Sequence, residues 1–111
     1  MKAPIFVDTG CVLALANKRD KYHELAMAAF DIVSPPYLTT EAVLIEVGNA
    51  FSRAEWRTMG VDTLNYVRRS FHFEIVPVDS ALLERAIGLY SSRMDKEWGL
   101  TDCISFVVMR E

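Results

Sequence analysis

An α/β fold on a parallel sheet is predicted from three features of the sequence. Short apolar runs alternate with longer segments whose apolar residues recur every three or four positions. Three such runs separated by helices imply crossover connections, which lay the strands parallel. The chain has 111 residues, 51% apolar and 24% charged, enough for one globular domain with a usable core and unlike a disordered chain.

Pro4 to Asp8 reads as a buried strand that ends in a polar residue. Thr9-Gly10 then turns the chain into a helix from Cys11 to Ala16. Asp20 is the expected cap of the next helix, whose Tyr22, Leu25, Ala26, Ala29, Phe30 and Val33 follow helical spacing. Ser34-Pro35-Pro36 stops it, because proline lacks an N–H and disfavours helix in the preceding residue. Tyr37 to Thr40 is the second strand, followed by helices over Glu41 to Arg53 and Val61 to Ser70, with Gly60 at the break. Phe73 to Val78 is the third strand. Asp79 starts a helix with Leu82, Leu83, Ala86, Ile87, Tyr90 and Met94 on one side. Thr101 caps the last helix, which runs to Glu111.

The formal charge of −3 excludes a polybasic arm and argues against indiscriminate duplex binding, which depends on neutralising phosphates. No run approaches the ~20 apolar residues of a membrane span. Lys2 and Ala14-Leu15-Ala16 imitate a signal peptide, but Asp8 interrupts the apolar region. Two cysteines, Cys11 and Cys103, are too few for a disulfide scaffold and fit a reducing cytoplasm.

Ligands of open parallel sheets bind beyond the carboxyl ends of the strands. The residues there are Asp8, Thr39-Thr40 leading to Glu46, and Asp79. Asp8 reads equally as a functional acid and as the point where a strand meets water. Helical geometry puts Glu46 on a narrow face with Ala42, Asn49, Ala50 and Arg53, opposite the stripe of Leu44, Val47, Gly48 and Phe51. That face is either plain solvent surface or a hollow with a carboxylate in it. Asp102, just after Thr101, fits the favourable dipole of a first helical turn. Asp95 and Glu97 lie in a charged loop. His23 and His72 do not pair with cysteine at zinc spacing, and no glycine-rich phosphate loop is present.

Phe6-Val7-Asp8-Thr9, Thr40-Glu41-Ala42-Val43-Leu44-Ile45-Glu46 and Leu100-Thr101-Asp102-Cys103-Ile104-Ser105-Phe106, the last preceded by Asp95-Lys96-Glu97-Trp98, resemble the PIN-domain family. The nearest likeness is to the VapC-type toxins of toxin–antitoxin pairs, and it spans essentially the whole chain. The resemblance implies a single three-layer α/β/α domain with a parallel sheet, and a metal-dependent endoribonuclease. It maps an acidic pocket onto Asp8, Glu46 and Asp102, with Thr9 and Ser105 as polar support and Asp95 as an outer member. It further implies inhibition by a small antitoxin protein and homodimerisation. Members usually continue with two more strands, the loop after the first of them carrying another aspartate. Strand one is therefore expected at the sheet edge, with the C-terminal strands missing and unpaired backbone groups exposed.

Clustered carboxylates repel one another unless a cation neutralises them. Mg²⁺ or Mn²⁺ suits oxygen ligands, and Mg²⁺ takes one or two carboxylates with water and phosphate. Asp8 and Asp102 are expected on the metal, Glu46 on the attacking water or a second ion, and Arg53 on a phosphate. The acidic chain is expected to read a structured RNA, such as a transfer or ribosomal RNA, by its shape and loops. Two other classes remain: a PIN-like protein-binding module without chemistry, and a domain phosphorylated on Asp8, which lacks an evident lysine near the late strands.

Overall fold

The computed structural model describes residues 3–111; Met1 and Lys2, the basic start of the signal-like pattern, lie outside the described residues. The chain order is β1 (Ile5–Phe6), α1 (Thr9–Ala16), α2 (His23–Ile32), β2 (Tyr37–Thr40) and α3 (Glu41–Ala50). A short 3₁₀ turn (Ala54–Trp56), α4 (Arg57–Arg69), β3 (Phe73–Val76), α5 (Ser80–Ser92) and α6 (Leu100–Arg110) follow. The strands form one parallel sheet in the order β1-β2-β3, with β1 at an edge as expected.

Register divides the sheet into two faces. Ile5, Tyr37 and Phe73 are level with one another, as are Phe6, Leu38 and Glu74. Alternate residues point to opposite sides. Ile5, Val7, Tyr37 and Phe73 pack with Val12, Val43 and Val47 of α1 and α3, with Phe51 just after α3, and with α4. Leu38 and Val76 pack instead with Leu82, Ala86, Cys103, Ile104, Val107 and Val108 of α5 and α6. The result is the predicted three-layer α/β/α arrangement. Phe30, Tyr37 and Phe73 stack in tilted contact, with ring centroids 5.0 and 5.2 Å apart, and join α2 to the sheet.

Several boundaries differ from the sequence reading. Helix α1 begins at Thr9, not after a Thr9-Gly10 turn, because Asp8 takes extended backbone and its Oδ1 accepts the Cys11 N–H at 2.9 Å. Asp20 holds the Tyr22 N–H in a turn before α2 and does not cap the helix itself. Gly99, not Thr101, is the N-cap of α6. On α5 the buried row is Leu82 and Ala86; Leu83, Ile87 and Tyr90 face outward, and Met94, exposed, lies in the turn beyond the helix. Both rows satisfy helical periodicity, so spacing could not choose between them.

Helix α3 stops at Ala50, and Gly60 lies inside α4, not at a break. The chain reverses through Ser52, whose Oγ donates to the Gly48 carbonyl at 3.0 Å, and α4 returns across Phe51. A Cβ at Gly60 would stand 2.8 Å from the Phe51 Cβ, so glycine is required by proximity. Gly88 on α5 has open space around its Cβ position. Gly60→Ala is therefore expected to lower stability by about 1–3 kcal/mol through overpacking. Gly88→Ala should raise it by up to about 1 kcal/mol through helix propensity. Urea unfolding of both variants checks the opposite signs, and a stabilised Gly60→Ala would contradict the close approach.

Candidate active site

The carboxyl edge of the sheet is positioned by β2. The Val7 N–H donates to the Leu38 carbonyl at 2.8 Å, and the Val7 carbonyl accepts from Thr39 Oγ1 at 2.9 Å. Thr39 and Thr40 are fully buried although polar, and both hydroxyls are used: Thr40 Oγ1 caps α3 by accepting the Val43 N–H. The backbone entering Asp8 and the start of the helix carrying Glu46 are thus both fixed from one strand. The sequence reading named the Thr39-Thr40 pair as a strand end and missed Thr39 as a positioning residue. A threonine ending an apolar strand was the available signal.

Thr9 follows Asp8 directly, and its Oγ1 donates to Glu46 Oε1 at 2.6 Å. A hydroxyl–carboxylate bond this short is charge-assisted. It joins the start of α1 to the middle of α3, so Asp8 and Glu46 share one corner of the molecule. The face holding Glu46 is not plain solvent surface along its length. Ala42, one turn earlier, is buried in the cluster that includes Cys103, next to Asp102. Asp102 stands beside Cys103 at the start of α6, and its Oδ2 accepts the Gly99 N–H at 3.0 Å.

Two expected members sit differently. Arg53 lies beyond the end of α3, so it does not share a helix face with Glu46; it pairs with Glu55 at 3.4 Å and stacks on Trp56. Asp95 gives both oxygens to Arg93, at 3.0 and 3.1 Å, which leaves its carboxylate engaged within the loop. Those hydrogen bonds are the main cause that holds its carboxyl below the ordinary value. Ser105 is buried one turn along α6 from Asp102. Burial foremost, then the Asp8 charge, pushes the Cys11 thiol up; burial and then Asp102 do the same to Cys103.

Among the described residues, no three His, Cys, Asp or Glu side chains form a group close enough to hold a metal ion. The donor chemistry still fits a hard divalent cation. The hydrogen bonds that orient Asp8, Glu46 and Asp102 use one oxygen each, leaving Asp8 Oδ2, Glu46 Oε2 and Asp102 Oδ1 without a donor among the described residues. Magnesium needs only one or two carboxylates when water and phosphate complete its shell.

Two outcomes test this geometry. A double-mutant cycle of Thr9→Val and Glu46→Ala should give a coupling of about 1 kcal/mol in urea unfolding, whereas zero coupling would mean the pair is not bonded. The Asp95 carboxyl, followed by NMR, should titrate below the ordinary range and return to it in Arg93→Gln. Because the folded value is depressed, its stabilising contribution is present above the unfolded pKa and is lost as pH falls through the folded one.

The comparisons with known proteins agree with this architecture. The model of the PIN domain matches residues 5–111. Among solved structures, the chain is similar to VapC20 of Mycobacterium tuberculosis, described as a Sarcin-Ricin loop cleaving toxin, with 28% identity and a TM-score of 0.88. The match covers 96% of this chain and 81% of that one. No curated protein sequence matches significantly. With the family match running over nearly its whole length and the α/β/α fold in agreement, the chain belongs to the PIN-domain family.

Proposed function

We propose that this protein is a metal-dependent endoribonuclease toxin that cleaves a structured RNA. The single observation that carries the reading is the Thr9–Glu46 hydrogen bond, which ties the residue after Asp8 to the second carboxylate at the carboxyl edge of the sheet. The likeness to an RNA-cleaving VapC toxin supports the substrate class. Asp8 and Asp102 would hold Mg²⁺ or Mn²⁺, and the bound ion would supply positive charge for the phosphate and acidify a water. Glu46, held by Thr9, would orient that water and accept its proton through Oε2. Asp8, fixed by the Cys11 N–H, would present Oδ2 without rearrangement. Preorganised groups of this kind need no reorientation as charge develops.

With a net charge of −3, binding rests on the shape of a loop more than on backbone charge. The reading extends to a small antitoxin protein that covers the site, to a homodimer and to a cytoplasmic location. No helix among the described residues is long and apolar enough to cross a membrane. A second reading, a PIN fold that docks a protein without chemistry, is favoured by the spacing of the carboxylates, no three of which lie close enough to share an ion among the described residues. Antitoxin binding with no cleavage would decide for it.

The test is cleavage of a ribosomal hairpin RNA or of transfer RNA with Mg²⁺ or Mn²⁺. Asp8→Asn, Glu46→Gln and Asp102→Asn should each lower the rate by about 10²–10⁴-fold with unchanged melting temperature, and a chelator should abolish cleavage. Undiminished cleavage in all three variants would overturn the proposal.

A further inference from the structure

The turn joining α5 to α6 contains more recognition chemistry than its connection requires. Tyr90, Arg93, Lys96, Trp98 and Gly99 line a cavity of about 390 Å³, within the ~300–1,000 Å³ usual for small-ligand sites. Trp98 is half-buried and fixed by an edge contact to Phe106, with centroids 4.8 Å apart. The Arg93 guanidinium lies 5.4 Å from the centre of its ring and Lys96 Nζ lies 5.9 Å from it. Tyr90, also lining the cavity, is half-exposed. The two cations are not equivalent. Asp95 neutralises Arg93, whereas Lys96 has no ion-pair partner among the described residues. Gly99 connects this cavity to the candidate active site, because its N–H donates to Asp102 Oδ2.

We propose that this turn is a nucleotide subsite: an unpaired base of the RNA stacks on Tyr90 and Trp98, and Lys96, beside Arg93, takes its phosphate. The inference rests on the nuclease reading for the identity of the ligand as RNA. Aromatic faces accept any base, and a neighbouring cation reinforces stacking. Glu97 also lines the cavity and keeps its net charge low, which favours one stacked nucleotide over a duplex backbone. The subsite adjoins Asp102, so a base held there would set which phosphate reaches the carboxylates. It would also give an acidic protein a foothold on a loop that bulk charge does not provide.

Trp98 reports on its own occupancy. In Asp8→Asn with Trp56→Phe, Trp98 is the one remaining tryptophan, and binding proceeds without cleavage in a chelator. Titration with a short single-stranded RNA should quench its fluorescence. Tyr90→Leu and Lys96→Gln should each weaken binding about five- to tenfold. Lys96→Gln should also lower the slope of log K against log salt by about 0.7, the value for one lost phosphate contact on a single strand. Arg68→Gln, on α4, should change neither. Absence of quenching, or unchanged binding in both cavity variants, overturns the subsite. In the metal-loaded chain with Asp8 intact, the same two variants should raise KM with kcat retained. Unchanged KM alongside active cleavage overturns the subsite and leaves the nuclease standing. Quenching that both variants weaken, in a chain that never cleaves, upholds the subsite and overturns the nuclease.

Discussion

Both backbone groups of Val7 are held by β2, the N–H by the Leu38 carbonyl and the carbonyl by the Thr39 hydroxyl. The Asp8–Glu46 corner of the candidate site depends on that clamp. Strand β1 is two residues long and has one hydrogen-bonded neighbour among the described residues, so it has little ladder of its own to fix its end. With Val7 fixed, Asp8 leaves the sheet at a defined angle, caps α1 and starts the helix whose first residue reaches Glu46. A buried hydroxyl that satisfies a buried carbonyl is well suited to this task, because in the interior the alternative is an unpaired polar group.

The same economy of polar groups recurs at each carboxylate. Asp8, Glu46 and Asp102 each give one oxygen to a donor in the protein: the Cys11 N–H, the Thr9 hydroxyl and the Gly99 N–H. Each side chain is thereby oriented while its other oxygen is left for a ligand. Asp95 shows the contrary case, with both oxygens closed on Arg93 inside the turn. That clasp shapes the loop that presents Lys96 and Trp98.

Packing, more than propensity, decided which of several permissible faces became core. Val43 and Val47 are fully buried against the sheet, while Ala42 of the same helix belongs to the cluster on α6. Helix α3 therefore bridges two hydrophobic clusters, and Glu46 emerges near the seam between them. On α5, the choice of Leu82 and Ala86 over Leu83 and Ile87 follows from where α6 lies.

The sequence by itself determined the alternation of strands and helices and the parallel sheet, and through a family resemblance it offered the edge position of β1 and the three candidate carboxylates. Strand and helix periods are local properties, and motif spacing survives in one dimension. Tertiary structure alone decided that Gly60 continues a helix, that Arg53 falls off the face of Glu46, that Thr39 holds the Val7 carbonyl, and that Thr9, expected only as polar support, bonds Glu46. Three of these depend on an atom elsewhere in the chain, Phe51 against Gly60, Val7 against Thr39 and Glu46 against Thr9, and the fourth on where α3 ends. Contacts across tens of residues leave no periodic trace, because they arise where separately folded segments are packed together.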